Sequence, residues 1–293
     1  MPSSGFGLTA GSNHPSICSL ERERGIPLQN GPPSQSYITH FWDFQTLLPS
    51  SLSTGSSTDV HSVTLLESRT TIESGTTGLR TWMASFVLAR YLILHPELVT
   101  SKRVLELGSG IGFLAIIVAS LQCLQNPSVD TALSKSSLWI TDINDEVLAR
   151  CRDNINLPCN LSSSHPDIHY RNLDWSQSMD ADDSCLKALI HEKIDPDLIL
   201  GADIIFDPQL IPSLVGTLEI ALRPSKGSRK AKVSIIALTM RNEDTLGQFL
   251  AQLRESSLHV EEMDTGSKDT CFYETIEASS YAQHIKMFRV TYV

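Results

Sequence analysis

The chain has six cysteines (Cys18, Cys123, Cys151, Cys159, Cys185 and Cys271), and no two of them stand at C-x-x-C spacing. With no His pair beside them, a zinc site is not expected, and a disulfide framework does not suit a chain of 293 residues. Cys123 and Cys151 fall inside helical patterns and read as buried free thiols, which suits a reducing compartment. Long apolar runs are also missing. The first thirty residues contain no continuous hydrophobic segment. The longest strongly apolar stretch, Phe113 to Leu121, is far shorter than the ~20 residues a membrane helix needs. No leader and no membrane partner are expected, and the default is a soluble cytoplasmic protein. Basic residues are scarce, with 23 Lys and Arg against 33 Asp and Glu and a net charge of −10. That balance argues against a nucleic-acid partner, because phosphate contacts need a cationic surplus. No internal repeat is visible.

What is present is ordinary for a globular protein: 41% hydrophobic and 19% charged residues. Residues 1–60 are rich in Gly, Pro and Ser and read as a largely irregular N-terminal extension, with one apolar island, His40 to Pro49, expected to dock as a short helix. Residues 61–293 read as one domain. "VTLLES" is a short strand, and apolar residues at helical spacing predict a helix from Thr81 to Leu94. Strand and helix signals then alternate: "RVLEL", helix 111–123, "LWITDI", helix 145–157, "DIHYRNL", "PDLILGADIIF", helix 208–222, "KVSIIALTM", helix 242–257, "HVEEMD" and "IKMFRVTYV". Such alternation predicts an α/β fold with a mostly parallel sheet covered on both faces. No helix separates the last two strands, so an antiparallel pair is expected at that end.

In "RVLELGSGIGF", Gly108, Gly110 and Gly112 sit where a strand meets a helix. There the backbone can approach a ligand closely and the helix start points at it. Without a ligand, the same turn is only a tight βα connection. The spacing is G-x-G-x-G and not the G-x-G-x-x-G of a dinucleotide site. Glu106 precedes it, and a carboxylate there repels a pyrophosphate but suits an ammonium or sulfonium. S-adenosylmethionine carries both cations and no phosphate. Asp142 ends the second strand, where a carboxylate can take ribose hydroxyls or cap the helix near Asn144. Trp175 follows the third strand, where it can stack on adenine or fill a core. Asp203 follows the apolar fourth strand, and Asp207, directly before Pro208, is the better helix cap, which leaves Asp203 for function.

These stretches together resemble a class I, Rossmann-like, seven-β-strand S-adenosylmethionine-dependent methyltransferase. More narrowly the chain resembles methyltransferase family 16, the seven-strand protein-lysine methyltransferases. The carrying residues are "TTGLRTWMAS", "VLELGSGIGF", "TDIN", "LDW" and "GADIIFDP". "ESGTTGLRTW" and "LTMRNEDTLGQFL" are similar to the branch that methylates a lysine of translation elongation factor 2. The resemblance spans Val63 to Val293. It implies cofactor contacts from Trp82, the turn Gly108, Ser109 and Gly110, Asp142, Trp175 and the Ala202 backbone; Glu106, from its charge, and Gly112, from the spacing, are expected to join them. It implies that Asp203 begins a motif lining the lysine channel, of which Phe206 is a wall. Asp203 is expected to orient the substrate lysine, the sulfonium supplies the leaving group so that no metal is required, and a monomer is expected. The family's D-x-x-Y motif here reads Asp203-Ile-Ile-Phe206, so the aromatic wall is kept and the hydroxyl is not. Relatives carry a longer helical extension before the domain. Alternatives are a different protein, small-molecule or RNA acceptor, or a weakly active cofactor-binding scaffold.

Overall fold

The computed structural model describes residues 34–43, 60–124, 136–224, 231–264, 272 and 284–293. Apart from residues 34–43 and 60, the expected irregular extension lies outside them. Two strands, β1 (Gln35–Trp42) and β2 (His61–Ser68), form an antiparallel hairpin. The short helix expected from His40 is not formed there, because His40 to Trp42 are the end of β1. The reason is the period-two pattern of "YITHFW": Tyr37, Thr39 and Phe41 face outward, while Trp42 is buried. His40 packs edge-on against Phe86 and Phe113, at 4.8 and 5.5 Å between ring centroids. Burial there pushes its imidazole down to about 4.

The remaining strands are β3 (Arg103–Leu107), β4 (Ser137–Asp142), β5 (Ile168–Asn172), β6 (Leu198–Ala202), β7 (Val233–Thr239), β8 (Leu258–Met263) and β9 (Ile285–Tyr292). They form one sheet in the order β5-β4-β3-β6-β7-β9-β8. The first five are parallel, and β9 runs antiparallel to both β7 and β8. This is the expected α/β architecture with its antiparallel edge. The longer helices are α1 (Met83–Leu94), α2 (Phe113–Leu124), α3 (Asp145–Ile155), α5 (Ile211–Leu222) and α6 (Glu243–Glu255). A short α4 (Ser184–Ala188) runs on as a π turn, Leu189–Ile194. It lies in a stretch whose polar composition concealed it, yet Leu186, Ile190 and Ile194 are buried.

Strand alternation divides the core in two. Val104, Leu138, Ile140, Leu198, Leu200 and Ile235 face one layer with α1, α2 and α3; Leu105, Leu107, Trp139, Ile199 and Ile236 face the other with α5 and α6. The hairpin is fastened to the first layer by two buried amides. Asn160 accepts the Thr64 N–H and donates to the Thr64 carbonyl, both at 2.8 Å. Asn154 does the same for Leu66, at 2.8 and 3.3 Å. Each such bond contributes about 1 kcal/mol net, and more is lost if a partner is left buried and unpaired.

Chain order places the site. From β3 the sheet grows through β4 to β5, then β6 returns to the other side of β3. The crevice beyond the carboxyl ends of β3 and β6 is the switch point where open sheets bind ligands. Among the described residues, no helix is long and apolar enough to cross a membrane.

Candidate functional site

A cavity of about 240 Å³ opens at this switch point. Of the residues singled out in the sequence, Trp82, Gly108, Ser109, Gly110, Asp142 and Trp175 line it, as do Ala202, Asp203 and Phe206. Glu106 and Gly112 do not. Strand alternation points Glu106 down into the first core layer, beneath the turn, where it is 3% exposed and its Oε2 has no hydrogen-bond partner among the described residues. Burial, with the nearby Asp142 charge, pushes its carboxyl up to about 8. Gly112 lies against Cys151 of α3.

The turn after β3 is stapled to β4. The Ser109 N–H donates to the Thr141 carbonyl at 2.9 Å, and the Thr141 hydroxyl donates to the Glu106 carbonyl at 2.6 Å. Gly108 has φ 62, and a Cβ there would stand 2.8 Å from Ile204 Cγ2 and 3.7 Å from the Trp175 ring. Only glycine keeps that part of the cavity open. Asp142 was open to being a helix cap, but Asn144 does that work, its Oδ1 accepting the Glu146 and Val147 N–H groups at 2.9 and 3.2 Å. Asp142 instead accepts the N–H groups of Gly110 at 3.2 Å and Asn144 at 3.1 Å. Burial raises its carboxyl above the usual range, against the pull of these backbone donors. Trp175 opens a 3-10 turn capped by Asp174, whose Oδ1 accepts the Ser176 N–H at 2.8 Å.

The apolar run after Leu198 stops as a strand at Ala202, earlier than its composition suggested. Asp203 is left-handed, with φ 55, a conformation that Asp and Asn tolerate better than most residues. Its Oδ1 accepts the Thr239 N–H at 2.7 Å; its Oδ2 accepts the Thr239 hydroxyl at 2.8 Å and an Arg241 N–H at 3.3 Å. The cap on the next element is Asp207, accepting the Gln209 N–H at 2.9 Å, as the sequence indicated. Phe206 is 55% exposed at the cavity rim. Trp82 donates its indole N–H to the Thr77 carbonyl at 3.1 Å and lies under the Arg241 guanidinium, 4.5 Å from the ring centroid.

Thr239 and Arg241 were not singled out as site residues. A signal was available: they stand at the carboxyl end of β7, as Asp142 and Asp203 stand at or just past the ends of β4 and β6. Gly78 and Arg80, from the segment before α1, also line the cavity.

The donor set suits S-adenosylmethionine. Asp142 offers a carboxylate to hydroxyls and Gly108 leaves room for close approach, while Glu106, buried beneath the turn with its carboxyl pushed up to about 8, brings no charge to the cavity at neutral pH.

A family model described as lysine methyltransferase matches residues 61–256. The protein-lysine N-methyltransferase EFM3 of Chaetomium thermophilum is 36% identical over 202 residues, 64% of this chain and 51% of that protein. The human protein-lysine N-methyltransferase EEF2KMT is 30% identical over 209 residues, 68% of this chain and 57% of that protein. The chain thus spans about half the length of the curated relatives it matches. The matched segment runs from the start of β2 to the residue after α6 and so contains every residue described around the cavity; on that match, this chain belongs to the lysine methyltransferase family.

Proposed function

We propose that the chain transfers a methyl group from S-adenosylmethionine to a lysine side chain of a protein, that this protein is translation elongation factor 2, and that the enzyme works as a cytoplasmic monomer. The observation that carries the reading is the joining of two groups of residues in one cavity: Gly108, Gly110, Asp142 and Trp175 with Trp82, Asp203 and Phe206. The choice of elongation factor 2 is supported by the resemblance carried in "ESGTTGLRTW" and "LTMRNEDTLGQFL".

When bound, S-adenosylmethionine supplies an electrophilic methyl on a sulfonium. In this reading Asp142 takes the ribose hydroxyls, Trp175 covers the adenine, and Gly108, Ser109, Gly110, Ala202 and Trp82 hold the remainder. Glu106 and Gly112 shape the turn from beneath. A free lysine has a pKa of about 10.4, so only about 1 in 2,500 is neutral at pH 7. The bound cofactor would supply the methyl and its sulfur would keep the electron pair of the broken C–S bond, so the protein's task is to present an amine with a free lone pair, the proton being lost to solvent. Asp203, pinned by Thr239, orients the amine, and Phe206 walls its approach. Much of the acceleration comes from this positioning.

The test is incubation of the protein with methyl-labelled S-adenosylmethionine and a eukaryotic cell extract. A labelled band at the size of elongation factor 2 is expected. Cofactor binding by calorimetry with no labelled protein would refute protein methylation, and a labelled band of another size would refute the choice of substrate.

A further inference from the structure

Arg241 stands where the two groups of site residues meet. It follows the end of β7, and its neighbour Asn242 anchors the backbone by capping α6, accepting the Asp244 N–H at 2.8 Å. Its guanidinium stacks on Trp82 at 4.5 Å and donates to Asp203 at 3.3 Å. Asp203 cannot follow it elsewhere, because Thr239 holds both carboxylate oxygens. Arg241 and Phe206 also line a second, smaller cavity of about 40 Å³, between Ile205, Leu238 and Leu246. The Arg241 side chain therefore forms part of the wall between the main cavity and its neighbour.

We propose that Arg241 is a positioning residue for methyl transfer: it clasps Trp82 and Asp203 into one wall and offsets the Asp203 charge, so that a lysine amine meets this wall in its neutral form. The proposal rests on the reading of the chain as a lysine methyltransferase. An uncompensated carboxylate within about 4–6 Å of an amine favours the ammonium, by about 1–3 pKa units. A paired guanidinium cancels most of that field. Among the described residues, the other charged groups on the cavity are Arg80 before α1, Asp142 at the end of β4 and Asp174 after β5, while Leu210 and Ser213 face it uncharged from the α5 side. A change at Arg241 alone leaves these in place.

Turnover is measured from pH 6.5 to 10 for wild type, Arg241→Ala and Arg241→Lys, with S-adenosylmethionine and purified eukaryotic elongation factor 2. Without the guanidinium, Asp203 holds the substrate as an ammonium and unreactive complexes accumulate. The acid limb of kcat moves up by about one pH unit, and kcat at pH 7.5 falls about tenfold. KM does not rise, and the enzymes converge near pH 10. Arg241→Lys keeps the charge and recovers most of the limb. A loss equal at every pH, or an unmoved limb, overturns the proposal. Calorimetry with S-adenosylhomocysteine gives a second readout: Arg241→Ala weakens binding several-fold, because Trp82 loses its stacking partner, and an unchanged affinity overturns the clasp. If the wild type transfers no methyl to elongation factor 2, the choice of substrate fails by itself, and calorimetry still decides the clasp.

Discussion

The Asp142 carboxylate, at the end of β4, accepts the Gly110 N–H at 3.2 Å from the turn that follows the neighbouring strand β3. One side chain therefore holds the turn in shape and keeps an acidic edge on the cavity. Asp142→Ala should weaken S-adenosylhomocysteine binding by tenfold or more, since charge-assisted hydrogen bonds contribute about 1.5–3 kcal/mol. Asp142→Asn, which keeps an acceptor oxygen, should lose less. Isothermal calorimetry measures both, and an Asp142→Ala affinity within twofold of wild type would remove this residue from the site.

Glu106 makes stability depend on pH in a defined direction. Its folded carboxyl, at about 8, lies above the unfolded value, so the native state binds the extra proton. Its contribution is complete below the unfolded pKa and is lost as pH rises through about 8. His40 and His165, pushed down to about 4 by burial, act in the opposite sense and lose their contribution as pH falls below the usual histidine range. The difference between Glu106→Gln and wild type removes the histidine part. Thermal melts should show the variant gaining Tm over wild type from pH 5 to pH 9, and a constant difference would contradict the assignment.

Gly112 shows how closely the turn packs on α3. Its φ is 92, and a Cβ would fall 2.6 Å from the Cys151 sulfur. Gly112→Ala should cost about 1–3 kcal/mol in urea unfolding, as overpacking in a filled core does. Adding Cys151→Ala should recover part of the loss by removing the obstructing sulfur. The remainder reports the backbone strain, and strictly additive losses would show that the two sites do not meet.

Asp203 and Phe206 should affect turnover and not cofactor binding. Asp203→Asn preserves the left-handed backbone but sets an amide against the Thr239 donors. We expect kcat to fall about a hundredfold, as misplacement near the reacting atoms does, with S-adenosylhomocysteine affinity within threefold. Phe206→Tyr should retain activity, whereas Phe206→Ala should raise KM for the protein substrate. Full turnover in Asp203→Asn would leave its carboxylate without a catalytic part.

The sheet was legible because its strands carry period-two apolar patterns, or continuous ones where both faces are covered. So were Asp142, Trp175 and the glycine turn, which lie at or just after strand ends. What escaped depended on distant partners. Asp203 meets Thr239 across 36 positions of sequence, and no local pattern announces that pair. The left-handed turn at Asp203, which ends β6 early, is set by the same contact and not by the apolar run before it. Glu106 was placed against the cofactor from its charge alone; its position beside Val104, Leu105 and Leu107 in a covered strand sends the side chain into the core instead. The π turn from Leu189 to Ile194 shows its buried face only after the helix is known.

The paired amides of Asn160 and Asn154 have a consequence beyond fastening. They satisfy the N–H and C=O groups of Thr64 and Leu66, two residues apart on the side of β2 away from β1. Those groups are what an exposed strand edge offers to a foreign chain. Two side chains thus take the hydrogen bonds that a neighbouring strand would take. They protect the hairpin from edge-to-edge aggregation, and they forbid a one-residue slip that would turn Val63 and Leu65 out of the core.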